Sequence, residues 1–196
     1  MAADTEIANL ALSYVGVGKQ IAELSTEQSE EARACRQFYD TVLRTMFEEF
    51  RWGFATRTVS LAVVQVDPTP EWMRSFRYPS DAAFIRRILG GVLRDVPYAI
   101  AGDNAGRLIY ANLEEATVEY TKYVTDGTHY PAQFKMAVAQ RLAFHIMSRL
   151  SKGDPKKLGA RSNELYTLSI ATARAAQANE SHPDTSGKSD MIRSRG

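Results

Sequence analysis

The chain has 196 residues, 44% of them hydrophobic and 24% charged, enough apolar material for one core or for one domain with an inserted subdomain. Its formal net charge of +1 makes no strong global field, so tight, sequence-independent nucleic-acid binding is not suggested. Cys35 is the only cysteine, which excludes a disulfide framework within one chain. No apolar run approaches membrane-spanning length, and the first residues lack the basic-then-apolar order of a signal peptide, so a cytoplasm-like environment is expected at first.

Asp4 or Thr5 can cap a first helix in which Ile7, Leu10, Ala11 and Tyr14 form an apolar stripe. Gly16-Val17-Gly18-Lys19 ends it. This tetrapeptide lacks the phosphate-loop pattern, because Ser13 stands where the first glycine belongs and Gln20 where Ser or Thr belongs. It reads as a helix terminator with glycines at left-handed positions. Ile21 and Leu24 then staple the entry to the next helix.

That next helix is expected from Ser25 to Phe50. Ser25 with Gln28 makes a capping box, and Glu27, Glu30 and Glu31 place negative charge at the positive end of the dipole. Cys35, Phe38, Tyr39, Val42, Leu43, Met46, Phe47 and Phe50 recur at three- and four-residue steps, as one apolar face requires. At roughly 1.5 Å per residue the rod is about 39 Å long, and it needs partner helices.

From Ala55 to Val66 the period drops to two, with Val59, Leu61 and Val63 alternating with Thr58, Ser60 and Ala62, so a strand is expected until Asp67-Pro68-Thr69-Pro70 breaks it. Trp72, Met73, Phe76 and Tyr78 read as a short irregular segment. Ser80-Asp81 opens a brief helix through Leu89, stopped by Gly90-Gly91. A hairpin follows: Tyr98-Ala99-Ile100, a polar turn from Gly102 to Gly106, then Leu108-Ile109-Tyr110. Ala116, Val118 and Tyr120 mark a further strand.

Helical periodicity returns at Pro131 with Phe134, Val138, Leu142, Ile146 and Leu150, and Ala137, Ala139 and Ala143 allow a neighbour to approach closely. After Ser151-Lys152-Gly153, Asp154-Pro155 starts a last helix with a thin seam of Leu158, Ser162, Leu165, Ser169, Thr172 and Ala176. From Asn179 the composition turns polar, and the tail is expected to be disordered when alone. The fold expected is α+β and mainly α: a helical bundle (1–54 and 128–178) with an inserted small antiparallel sheet (55–127) and a flexible C-terminal arm (179–196).

No catalytic, cofactor or metal motif emerges. His129, His145 and His182 have no second ligand at metal-binding spacing, and His145 reads as a core or boundary residue beside Phe144. Glu48-Glu49 and Glu114-Glu115 are adjacent pairs, and on a helix adjacent residues point about 100° apart, so neither makes an acid–base dyad by spacing. Cys35 reads as a buried small hydrophobe. Arg33, Arg36, Arg44, Arg51, Arg57, Arg86, Arg87 and Arg94 read as solvated faces and salt bridges rather than a nucleic-acid patch. Trp52, Phe54, Trp72, Phe76 and Tyr78 are expected together at the bundle–sheet junction.

The order of short motifs carries one resemblance. Ile7-Ala8-Asn9-Leu10-Ala11-Leu12 is followed by Ser29-Glu30-Glu31-Ala32, then Cys35-Arg36-Gln37-Phe38-Tyr39-Asp40 and Trp52-Gly53-Phe54-Ala55. Tyr78-Pro79-Ser80-Asp81, Tyr110-Ala111-Asn112 and Tyr120-Thr121 then lead into Tyr130-Pro131-Ala132-Gln133-Phe134. Over residues 5–178 this resembles the head-to-tail adaptor proteins of short-tailed bacteriophages, also called tail tubular protein A. The specificity lies in order and spacing, and residues 179–196 match no family motif.

The resemblance implies a structural virion protein with no enzymatic role and no cofactor. It implies a dodecameric ring beneath the portal, with helical bundles building the ring and the sheet region facing the distal tail nozzle. Double-stranded DNA would pass through the lumen without sequence-specific binding, and the C-terminal segment would reach the portal. On this chain that arm offers Met191 and Ile192 as apolar anchors and Lys188, Arg193 and Arg195 as charged contacts. Extended, its 18 residues could span up to about 60 Å. A nucleic-acid-binding module and a virion-associated hydrolase are the competing expectations.

Overall fold

The computed structural model describes residues 2–90, 95–150 and 155–180. Four helices, α1 (Ala3–Val15), α2 (Glu30–Glu49), α3 (Ala132–Leu150) and α4 (Pro155–Glu180), flank eight strands in sequence. The centre of the helical part is α3, which packs against each of the other three helices. Ala137, Val138, Ala139 and Gln140 are all buried. Four consecutive helical residues point in four directions, so a helix that buries all of them is surrounded. The second helix, expected to need partner helices, finds its main one in α3 and lies at the side of this group.

Neither Asp4 nor Thr5 caps α1. Ala2 is the N-cap, without a side-chain hydrogen bond, and Thr5 is buried. Its hydroxyl accepts from the Leu24 backbone N–H (3.0 Å), so it ties the following loop to α1. Asn9 does the same twice: its Oδ1 accepts from Ile21 N–H and its Nδ2 donates to Ile21 O. These bonds seat Ile21 and Leu24 in the core as the staple pattern required. Gly16 adopts a left-handed conformation (φ 82°) and closes α1 as expected, whereas Gly18 does not take a positive φ.

The second helix starts later than its charge pattern suggests. Ser29, not Ser25, is the N-cap, accepting from Ala32 N–H. Residues 25–28 stay out of the helix because stronger partners hold them. Arg36 donates to Leu24 O and Glu27 O (both 2.6 Å), and the Glu27 carboxylate accepts from Ala22 N–H. The rod is therefore 20 residues and about 30 Å long.

The β region is larger than one small sheet. Strands β1 (Thr56–Ser60), β8 (Thr117–Lys122), β4 (Ala82–Leu89) and β5 (Asp95–Val96) form one antiparallel sheet in the order β1-β8-β4-β5. Strands β2 (Val63–Thr69), β3 (Trp72–Arg77), β7 (Gly106–Ala111) and β6 (Tyr98–Asp103) form the second, in the order β2-β3-β7-β6. Phe76, Ile109 and Ala111 from one sheet meet Ile85, Ile88, Val118 and Tyr120 from the other in a core of their own. Two sheets sharing one apolar layer make a small sandwich.

Three expectations fail here for one physical reason each. The single strand over 55–66 is two, because the chain changes sheets at Leu61-Ala62: Leu61 N–H donates to Ala116 O, while Ala62 O accepts from Arg77 N–H. The irregular segment from Trp72 is β3, which pairs on both sides and buries Phe76 against Ile109. The helix over 80–89 is β4. A register shift between Ile85 and Arg87 places Ile85 opposite Tyr120 and Ile88 opposite Val118, so both reach one face three residues apart. A bulged strand can thus imitate helical spacing. The β6–β7 hairpin and β8 form where the sequence places them.

Among the described side chains of α4 the buried ones are Ile170 and Ala173, with Tyr166 packed beside them. The expected seam is rotated from this face: Leu165 and Thr172 are exposed, while the side chains of Leu158 and Ser162 lie outside the described set.

Candidate functional site

The junction between helices and sheets is where the chain concentrates its specific interactions. Phe47 stands at its centre, with ring centroids of Phe134, Tyr123, Phe54 and Tyr130 at 5.2, 5.6, 6.0 and 6.1 Å. Trp52 lies edge-on to Phe134 at 4.9 Å and donates its indole N–H to Met46 O (2.7 Å). The expected aromatic cluster is divided. Trp52 and Phe54 belong to this group, whereas Phe76 and Tyr78 belong to the sandwich core.

Charged groups pin the two parts together. From β4, Arg86 donates through Nη2 to Phe47 O (2.8 Å) and Phe50 O (2.7 Å), carbonyls at the end of α2, and through Nε to Thr121 Oγ1. A cation there meets the negative end of the helix dipole. Burial, and then the nearby Arg51, lower the pKa of this guanidinium. Beside it Glu119 is only 4% exposed and binds both Arg51 (2.7 Å) and Arg87 (2.8 Å). On the helical side, Arg141 of α3 donates to Glu49 of α2 (2.6 Å) and to the Tyr166 hydroxyl of α4 (2.8 Å). Burial pushes the Glu49 carboxyl up, but Arg141 and Tyr166 outweigh it and hold the group below the usual range.

These contacts occupy the groups that sequence reading offered for chemistry. Glu49 is engaged by Arg141 while its neighbour Glu48 is exposed, so the pair forms no dyad. Cys35 is fully buried, and burial with the nearby Glu31 pushes its thiol up to about 11. His145 stacks on Phe38 at 5.4 Å, its pKa lowered by burial and then by Arg141. Among the described residues no group of three or more His, Cys, Asp or Glu could hold a metal ion. A cleft of about 390 Å³ is lined by Asp4, Tyr39, Tyr123, Asp126 and Tyr130. Its phenols are largely spoken for: Tyr123 donates to Asp40 and Tyr130 to Val124 O.

What remains open is surface suited to partners. Val63, Val64, Val66 and Met73 are exposed on the β2–β3 hairpin, and Leu165 and Leu168 on α4. Scattered exposed apolar residues are ordinary, but neighbouring ones on an edge strand or one helix mark contact surface. Between α1, α3 and α4 a cleft of about 440 Å³ has Gln140 and Met147 on its floor and Tyr14, Arg161 and Leu165 on its walls. Gln140 is 9% exposed and its Oε1 makes no hydrogen bond within the described chain.

The arm residues Lys188, Met191, Ile192, Arg193 and Arg195 lie outside the described residues, as do Arg94 and His182. The end of α4 is described. Along α4, Tyr166 meets Glu49, Arg174 lies over Phe50, and the Gln177 amide lies against Gly53. The helix therefore advances toward the sheets. Sequence reading missed Arg86, Glu119 and Arg141 as structural pins; the only signal was charge inside otherwise apolar periodic segments. No described helix is long and apolar enough to cross a membrane. No protein-family model matches the chain, and no match is found among curated proteins.

Proposed function

We propose that the chain is a structural virion protein, the head-to-tail adaptor that joins a portal to the distal tail nozzle as a ring and extends the DNA channel. The observation that carries this reading is the division of labour in the fold. A helical part and a β-sandwich have separate cores, are pinned at one junction, and each leaves apolar side chains open to solvent. An adaptor needs two rigid ends that meet different neighbours, and the order of motifs from Ile7 to Phe134 points to the same family. Many arginines are already committed to carbonyls or carboxylates, including Arg36, Arg44, Arg51, Arg77, Arg86, Arg87 and Arg141. That supports an adaptor over a nucleic-acid-binding module, whose cations must be free for phosphates.

Mixing the protein with portal rings of short-tailed phages, then weighing and imaging the product, tests the reading. An annular complex with one adaptor per portal subunit is the expected result. A protein that stays monomeric beside every portal tried, or that shifts duplex DNA at physiological salt, would overturn it. Release of dye from labelled cell wall would favour the hydrolase.

A further inference from the structure

We infer that a second copy of this chain docks on the open edge of β1, adding its β2 antiparallel to β1 and setting its Asp67 against Arg57. This deepens the ring reading and rests on it, because it names surfaces that neighbouring copies share. Among the described residues β1 pairs only with β8 and β2 only with β3, so each leaves one edge of backbone N–H and C=O groups unpaired. β2 begins Val63-Val64-Gln65-Val66, and its three valines are exposed, Val66 by 54%. An uncharged, β-branched edge of this kind invites another strand. On β1, Val59 faces the same side as Val118 of the sandwich core yet remains 38% exposed, so the receiving edge has apolar surface of its own to cover.

The two edges match in charge and in spacing. Arg57 is exposed, donates to the adjacent Thr56 carbonyl (3.1 Å), and has no carboxylate partner among the described residues. Asp67 is exposed too, and has no cationic partner among them. Four residues after Arg57 comes Leu61, on the wall of an open cleft of about 660 Å³ that Val59, Ala62, Tyr78 and Pro79 also line. Four residues before Asp67 stands Val63. Antiparallel strands passing each other therefore bring the second copy's Asp67 to Arg57 and its Val63 to the cleft in one register.

Other pairings of these edges lack that match. Two β2 strands meeting about Gln65 would set each Asp67 opposite Val63, and two β1 strands meeting about Val59 would set each Arg57 opposite Leu61. β6, the far edge of the second sheet, ends in Asp103, whose carboxylate Arg77 already holds. The mixed pair is also the one a ring needs. It joins unlike surfaces, so every copy keeps one β1 edge and one β2 edge for its two neighbours, and the contact repeats until it closes.

Exchanging charge between copies tests this, read as the association constant of the isolated full chain by sedimentation over a concentration series. Arg57→Asp alone and Asp67→Arg alone are each expected to weaken association about tenfold, because a like-charged pair replaces an opposite one. Mixing the two variants restores association, since each supplies the charge the other lacks at both contacts. A role in folding alone cannot be rescued by mixing, so this arm separates contact from stability. As an independent reading, outward amides of β1 and β2 exchange more slowly as concentration rises, while the Val118 amide in β8 is unchanged. Single variants that associate like the unaltered chain, a mixture no better than its parts, or an unaltered chain that stays monomeric throughout the series would each overturn the inference. Portal binding is read separately. Rings formed on portal at full yield by both single variants would sink the strand contact and leave the adaptor reading standing, whereas rescue in the mixture without any portal binding would do the reverse.

Discussion

Replacing Arg86 tests whether the junction is held by the end of α2. In Arg86→Ala three hydrogen bonds from a charged donor disappear, to Phe47 O, Phe50 O and Thr121 Oγ1. Bonds of that kind are worth about 1.5–3 kcal/mol each, but they share one side chain and do not add. Burial of the guanidinium opposes them, as its lowered pKa shows, so part of the loss is recovered on its removal. The unrecovered part is the Phe47 carbonyl, at a residue with no exposed surface, left without a donor. The net expected loss is about 3 kcal/mol, which in a chain this size lowers the melting temperature by about 6–12 °C. Arg86→Lys keeps the charge but one ammonium cannot reproduce the fork, so about half the loss is expected. Urea denaturation followed by far-UV circular dichroism measures both. An Arg86→Ala midpoint matching the unaltered protein would refute the claim that this cation organises the junction.

Three other perturbations follow from the same packing. A Cβ at Gly127 would collide with the Cβ of Ala3 and press on the Tyr130 ring, so Gly127→Ala should destabilise by about 1–3 kcal/mol in thermal unfolding and displace the start of α1. Gly16→Ala meets open space but must hold a left-handed φ of 82°, so a smaller loss of about 1 kcal/mol is expected. Cys35 should resist thiol reagents at pH 8 in the folded protein and react fully in urea; its folded pKa of about 11 lies above its unfolded value, so its contribution is intact below about pH 8.5 and is lost as pH rises toward 11. Rapid labelling of the native protein would refute its burial.

How far the sequence discloses this fold depends on what sets each signal. Elements fixed by local chemistry are legible: the Gly16 stop needs a left-handed residue, and the β6–β7 hairpin follows its polar turn. Elements fixed by distant partners are not. By sequence Ser25 carries the capping box, yet Ser29 caps the helix, because Arg36, well inside the helix, captures the carbonyls of Leu24 and Glu27. Ile85 and Ile88 carry helical spacing, and only pairing with Tyr120 and Val118 across a bulge shows that the segment is extended.

The same distinction separates the parts of the candidate site. The aromatics from Trp52 to Tyr78 announce a junction, although Phe76 and Tyr78 belong to the sandwich core instead, and Arg86, Glu119 and Arg141 acquire meaning only once distant segments converge on each. The half-buried Arg86 and the buried Glu119 cost desolvation that leucines would not, and in return their direction-dependent bonds run between the end of α2 and the sandwich and fix the angle there. An adaptor that must register against a neighbour at each end depends on that angle more than on stability. Arg86→Met, which keeps the stem while losing the fork, should therefore impair annular assembly with portal more than it lowers the melting temperature. Assembly that tracks stability alone across Arg86→Lys, Arg86→Met and Arg86→Ala would show instead that the pin only holds the chain folded.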